Sequence, residues 1–115
     1  MKKVSFIQMK NGSKEDYLFL DKLEKEYASK TADRIIKYLQ SYEETLEGYQ
    51  VSRLEHSLQA ATRALRDNAS DEMIVATLLH DIGDALAPAN HSEYAAAVLK
   101  PYVSEKTHWI LLNIL

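Results

Sequence analysis

The chain of 115 residues contains no cysteine, which excludes a disulfide framework and any thiolate metal centre. Glycine is scarce, with three residues, and none belongs to a Gly-rich loop of the kind that cradles phosphates. There is no basic excess. Fourteen Lys and Arg against 17 Asp and Glu leave a net charge of −3, which argues against general nucleic-acid binding. Met1-Lys2-Lys3 leads into no long apolar stretch. Neither a signal peptide nor a membrane-spanning helix is therefore expected, and a soluble cytoplasmic protein is the default. Repeats, low-complexity tracts and a Ser-His-Asp constellation are missing as well. Hydrophobic residues make up 46% of the chain, enough for one domain, residues 1–115, with a modest core.

Against these absences stands the run Ala76-Thr77-Leu78-Leu79-His80-Asp81-Ile82-Gly83, with Leu54-Glu55-His56 placed 24 residues before His80. Imidazole nitrogen and carboxylate oxygen together suit a divalent transition metal. Helix rules bring the parts together. Ser52-Arg53-Leu54-Glu55 has the form of a capping box, so a helix should begin near Arg53, with Leu54, Leu58, Ala61 and Leu65 as its apolar side. Asp67-Asn68-Ala69-Ser70-Asp71 reads as a turn with a second N-cap at Ser70. The next helix should run from about Asp71 to near Gly83. So short a turn favours antiparallel neighbours. At roughly 1.5 Å rise per residue, His56 and His80 then differ by only ~3 Å in height. Asp81 lies about 100° further round its helix, still within reach of the same ion. The bland alternative is a hydrogen-bonded core histidine and a solvated aspartate at a helix end; the level match with His56 favours a metal site.

These residues resemble the signature of the HD-domain superfamily, a helical fold of metal-dependent phosphohydrolases. The blocks Leu54-Glu55-His56-Ser57-Leu58-Gln59 and Leu78-Leu79-His80-Asp81-Ile82-Gly83, followed by a histidine about ten residues on, look like one branch of it. That branch holds predicted HD phosphohydrolases and the phosphonate-degrading HD-domain di-iron oxygenases, and the resemblance covers about residues 46–110. It implies an all-α bundle of about six helices, with a short extended segment allowed at the N terminus. It also implies metal ligation by His56, His80 and Asp81, with Asp81 as the catalytic bridging carboxylate and His91 on a second metal. The cofactor would be a divalent metal, iron first, with Mn, Zn or Mg as alternatives, or no bound metal at all. The substrate would be a small phosphate or phosphonate ester. The branch continues into a His-His-Gly segment where this sequence reads Leu111-Leu112-Asn113-Ile114-Leu115. Four of six expected ligands are thus present, as in a C-terminally truncated member. The oxygenases' tyrosine and glutamate fall on Leu46 and Tyr49.

Other readings stay open beside this one. His91 follows Pro88-Ala89-Asn90 at the start of a helix through Leu99, where a histidine is commonly just solvated. His108 beside Trp109 matches no family ligand and reads as a surface or packing residue. Residues 1–48 look like support. Val4, Phe6 and Met9 would lie in the extended segment. Ser13 would cap a helix from Lys14 to Tyr27, and Thr31 one from Ala32 to Leu46, with Ile35, Ile36, Leu39 and Tyr42 inward and Gly48 as the stop. Residues 49–115 would form the metal-site core. Six of the last seven residues are apolar (Trp109, Ile110, Leu111, Leu112, Ile114, Leu115). Such a patch marks an association surface, and a homodimer through this helix is expected. The functional alternatives are a metal-dependent enzyme and an inactive HD-fold protein serving as a binding or oligomerisation module.

Overall fold

The computed structural model describes residues 2–44 and 50–115. Among them the chain is all-α, with six α-helices, three short 3-10 turns and no strand. The expected N-terminal extended segment is not a strand, and Met9 lies in a 3-10 turn, Met9–Asn11. Cα packing divides the chain into two compact units, Met1–Ile36 and Lys37–Leu115, with the division inside the second helix rather than after position 48. No described helix is long and apolar enough to cross a membrane.

In the first unit, α1 (Lys14–Ala28) starts at a full capping box. Ser13 Oγ accepts from Asp16 N, and Asp16 Oδ2 in turn accepts from Ser13 N. No α1 residue is buried. Helix α2 (Thr31–Gln40) is shorter than the sequence suggests and gives way to a 3-10 turn, Ser41–Glu44. Thr31 is the first residue of this helix and not its cap; its hydroxyl donates to Ala28 O at 2.7 Å and accepts from Arg34 Nη2 at 3.0 Å. Ile36 is 45% exposed instead of inward. Gly48, Leu46 and Tyr49 lie outside the described residues.

The second unit carries the core, built from Leu39, Tyr42, Ala76, Leu79, Ile82, Ala95, Ala96, Leu99 and Leu111. Helix α3 (Arg53–Arg66) begins at Ser52, whose Oγ accepts from Glu55 N at 3.0 Å. It ends in a Schellman turn: Ala69 N bonds back to Ala64 O, with Asn68 at φ 58°. Asparagine is one of the few residues other than glycine that tolerate that left-handed position. The chain then doubles back into α4 (Asp71–Leu79), capped by Ser70 Oγ accepting from Met73 N, and α3 and α4 pack together. Helix α5 (His91–Leu99) packs on α6 (Glu105–Asn113), which also touches α4. Small residues permit these approaches: Ala76, Ala95 and Ala96 are fully buried.

The inward face of α3 differs from the expected one. Leu58 is 49% and Leu65 63% exposed, while Ser57 is buried and Arg53 and His56 are half-buried. Residues three and four apart share a helix face, so a helix that points residues 53, 56 and 57 inward must turn Leu58 outward. Helix α4 ends at Leu79, four residues before Gly83, and His80 and Asp81 open a turn. The terminal helix splits its apolar residues. Leu111 is buried within this unit and Ser92 Oγ donates to the Leu115 carbonyl at 3.2 Å, whereas Trp109, Leu112 and Ile114 are exposed. His108 is half-buried.

Candidate metal centre

Three elements deliver the side chains. The first turn of α3 supplies Arg53 and His56, the turn after α4 supplies His80, Asp81 and Asp84, and the first residue of α5 is His91. The turn after α4 is held from behind by Tyr42. Its buried hydroxyl donates to the Ile82 carbonyl and accepts from Ala85 N at 3.3 Å. Burial, and then the neighbouring Tyr38 hydroxyl, push the Tyr42 hydroxyl well above the ordinary phenol range, so it stays protonated and donating.

Asp81 is the hub. Its Oδ2 lies 2.6 Å from Arg53 Nη2 and 3.1 Å from both His56 Nε2 and His80 Nε2, and its Oδ1 lies 3.4 Å from His91 Nε2. Asp84 Oδ2 takes Arg53 Nε at 2.9 Å and Nη2 at 2.8 Å. Asp84 Oδ1 stands 3.7 Å from His91 Nδ1. The His56 and His80 rings meet edge-on, with centroids 5.5 Å apart. The four residues singled out in the sequence, His56, His80, Asp81 and His91, therefore converge. Arg53 and Asp84 join them and were missed. Their signal was spacing: Arg53 lies one turn before His56 on the same helix, and Asp84 lies three residues after Asp81.

The donor set fits a divalent cation. His56, His80 and Asp81 each offer one atom, all within 4.8 Å of one another, and Asp81, Asp84 and His91 form a second such group. Bonds of about 2.0–2.2 Å from nitrogen and oxygen to one ion place neighbouring donors about 3–4 Å apart. The His80 ring is also oriented for ligation. Its Nδ1 sits 2.5 Å from the Thr77 carbonyl, an oxygen that can only accept. The proton therefore belongs on Nδ1, and in the neutral ring the lone pair belongs on Nε2, the atom facing Asp81. His80 is the deep member; the His56 and His91 side chains are 40% and 37% exposed, so the group opens to solvent on their side.

Without a cation, a lone pair facing a carboxylate is unfavourable, and His80 holds its proton more tightly than a free imidazole does. The hydrogen bond to Asp81 raises its pKa above 6.5, against burial, which lowers it. Burial pushes Asp81 up, but the His80 hydrogen bond and the charges of His80, Arg53 and His91 outweigh it and hold the carboxyl below 3.8. Both shifts largely describe one pair. Its contribution from His80 is complete below the unfolded value near 6.5 and lost as pH rises through the higher folded value. The contribution from Asp81 is complete above 3.8 and lost as pH falls through the lower folded value. In chelator, the stability difference between the parent and His80→Ala should thus be largest between about pH 4 and 6.5 and shrink towards pH 9. Urea midpoints measured across that range test this; a difference that does not change with pH contradicts it.

Comparison of the chain with protein-family models, with curated proteins and with solved structures gave no match.

Proposed function

We propose that this cluster is a divalent-metal centre and that the chain is a metal-dependent enzyme of the HD type, acting on a small phosphorylated or phosphonate metabolite. The observation that carries the reading is the convergence of three imidazoles and one further carboxylate, Asp84, around Asp81. The order His56 … His80-Asp81 … His91, which resembles the HD superfamily, supports it. Nitrogen-rich donors favour iron, manganese or zinc over magnesium. A bound ion of this kind would supply Lewis acidity, acidifying a water and polarising a phosphoryl oxygen.

The chain's own residues do the rest. His56, His80 and Asp81 would hold the ion. The Thr77 carbonyl fixes the His80 ring so that Nε2 would be the atom offered to the ion. Asp81 turns Oδ2 to His56 and His80 and Oδ1 to His91, an arrangement suited to bridging two ions. That arrangement favours a dinuclear site, with His91 and Asp84 serving the second ion. Hydrolysis needs the first ion alone; an oxygenase would need both as iron.

The test is isothermal titration of the chelator-treated chain with Mn2+, Zn2+, anaerobic Fe2+ and Mg2+, with thermal unfolding alongside. At a hundredfold excess over Kd, binding stabilises by about 2.7 kcal/mol. Saturable binding by at least one of the first three is expected, lost in His80→Ala, together with metal-dependent release of phosphate from simple phosphomonoesters. No heat and no thermal shift with any of the four ions would overturn the reading.

A second reading has its own observation. Arg53 forks onto both carboxylates, which neutralises part of their charge and suits a binding module without metal. Trp109, Leu112 and Ile114 on α6 would be its association surface. A chain that binds metal, and that stays monomeric by light scattering at tens of micromolar, excludes it.

A further inference from the structure

Arg53 touches the same oxygen that His56 and His80 approach. Its Nη2 lies 2.6 Å from Asp81 Oδ2, and its Nε and Nη2 lie 2.9 and 2.8 Å from Asp84 Oδ2. Among the described residues the guanidinium holds two carboxylates, one at the centre of the candidate ligands and one at their edge. A divalent cation seated on His56, His80 and Asp81 would share Asp81 Oδ2 with Arg53. Two cations on one oxygen repel each other, so the Asp81 hold weakens while both bonds to Asp84 persist.

Formal charge gives this rearrangement a direction. Leaving the imidazoles aside, Asp81, Asp84 and Arg53 sum to −1, a balance that does not favour anions. A divalent cation brings the sum to +1, and the group attracts them. An arginine that has just lost one carboxylate partner, beside a cation and within an opening lined by His56 and His91, is placed to take an oxyanion in its stead. Its planar fork matches phosphate and phosphonate oxygens two at a time, which a lysine cannot do.

Resting on the metal-centre reading, we propose that Arg53 is the anion-recognition residue of this site. Pivoting on Asp84 when the cation enters, it holds the tetrahedral oxyanion of the substrate beside the metal. Cation and oxyanion binding are then coupled. By linkage, each tightens the other by the same factor.

The experiment titrates Mn2+ into the chelator-treated full chain with and without methylphosphonate, following heat and the relaxation of bulk water by bound Mn2+, with a protein-free titration subtracted. The parent should bind Mn2+ about tenfold more tightly with methylphosphonate present, within the usual range of such couplings. Arg53→Gln should bind Mn2+ alone at least as tightly as the parent, because the competing cation is gone, and should show no effect of methylphosphonate. Arg53→Lys, which keeps the charge and loses the fork, should show a reduced effect, and it supplies the answer if Arg53→Gln does not fold. A parent that binds Mn2+ with no response to methylphosphonate, or an Arg53 variant with the full response, overturns this inference and leaves the metal centre standing. Absence of Mn2+ binding to both parent and Arg53→Gln overturns this inference, and the metal centre falls with it only if Zn2+, anaerobic Fe2+ and Mg2+ also fail to bind.

Discussion

Asp81→Ala is expected to be among the costliest single substitutions in the second unit, and to abolish divalent-metal binding. Asp81 is 7% exposed and gathers Arg53, His56, His80 and His91. Removing one partner of a buried ion pair leaves the other charge uncompensated and costs about 3–5 kcal/mol. Arg53 keeps its bonds to Asp84, which places the loss near the lower end, about 3 kcal/mol. That is a large share of the roughly 5–15 kcal/mol that holds a typical domain together. Asp81→Asn separates the two consequences. It preserves the shape and some hydrogen bonding and so should unfold later than Asp81→Ala, yet it removes the charge a cation needs. Urea unfolding followed by circular dichroism, with Mn2+ titration of whichever variants remain folded, checks both. A stability within about 0.5 kcal/mol of the parent, the range of an ordinary surface substitution, would mean that the hub contributes nothing net to folding.

The hub was legible in the sequence because it depends on helix arithmetic. Serine caps at positions 13, 52 and 70 set three helix starts, and the short turn between α3 and α4 brings His56 level with His80. What failed to show was the charge that answers Asp81. Arg53 follows a capping serine and precedes an apolar leucine, a context in which an arginine is ordinarily solvated. Only once His56 is known to point inward does the residue one turn earlier have to do so too. The same rotation explains why Leu58 and Leu65, taken as core, are exposed. The end of α4 was misplaced for a different reason. Gly83 looked like a helix stop, whereas the helix has already ended at Leu79, where Tyr42, 40 residues earlier in the chain, takes over the Ile82 carbonyl. A contact that distant leaves no local trace in sequence.

Gly83 has another task, and it yields the second large effect. The glycine is buried between the turn that carries Asp81 and the first turn of α5. A Cβ placed there would stand 2.8 Å from Tyr94 Cβ, 2.9 Å from His91 Cα and 3.0 Å from His91 O. Two of these three atoms are backbone, and the third is a Cβ fixed to it, so no side-chain rotation relieves the contact. The start of α5 must move instead. Overpacking of this kind costs about 1–3 kcal/mol. The displacement falls on His91, whose Nε2 is already 3.4 Å from Asp81 Oδ1, while His56 and His80 approach from the other carboxylate oxygen and keep their places. Gly83→Ala is therefore expected to lower thermal stability while acting unequally on the two ligand groups. Binding of a first Mn2+ at His56, His80 and Asp81 should persist, and binding of a second, which needs His91, should weaken at least tenfold. Titration of parent and variant under the same conditions reads the two steps separately. Equal weakening of both steps would mean that the substitution distorts Asp81 itself, and an unchanged melting temperature would mean that α5 does not press on Gly83 as closely as these distances require.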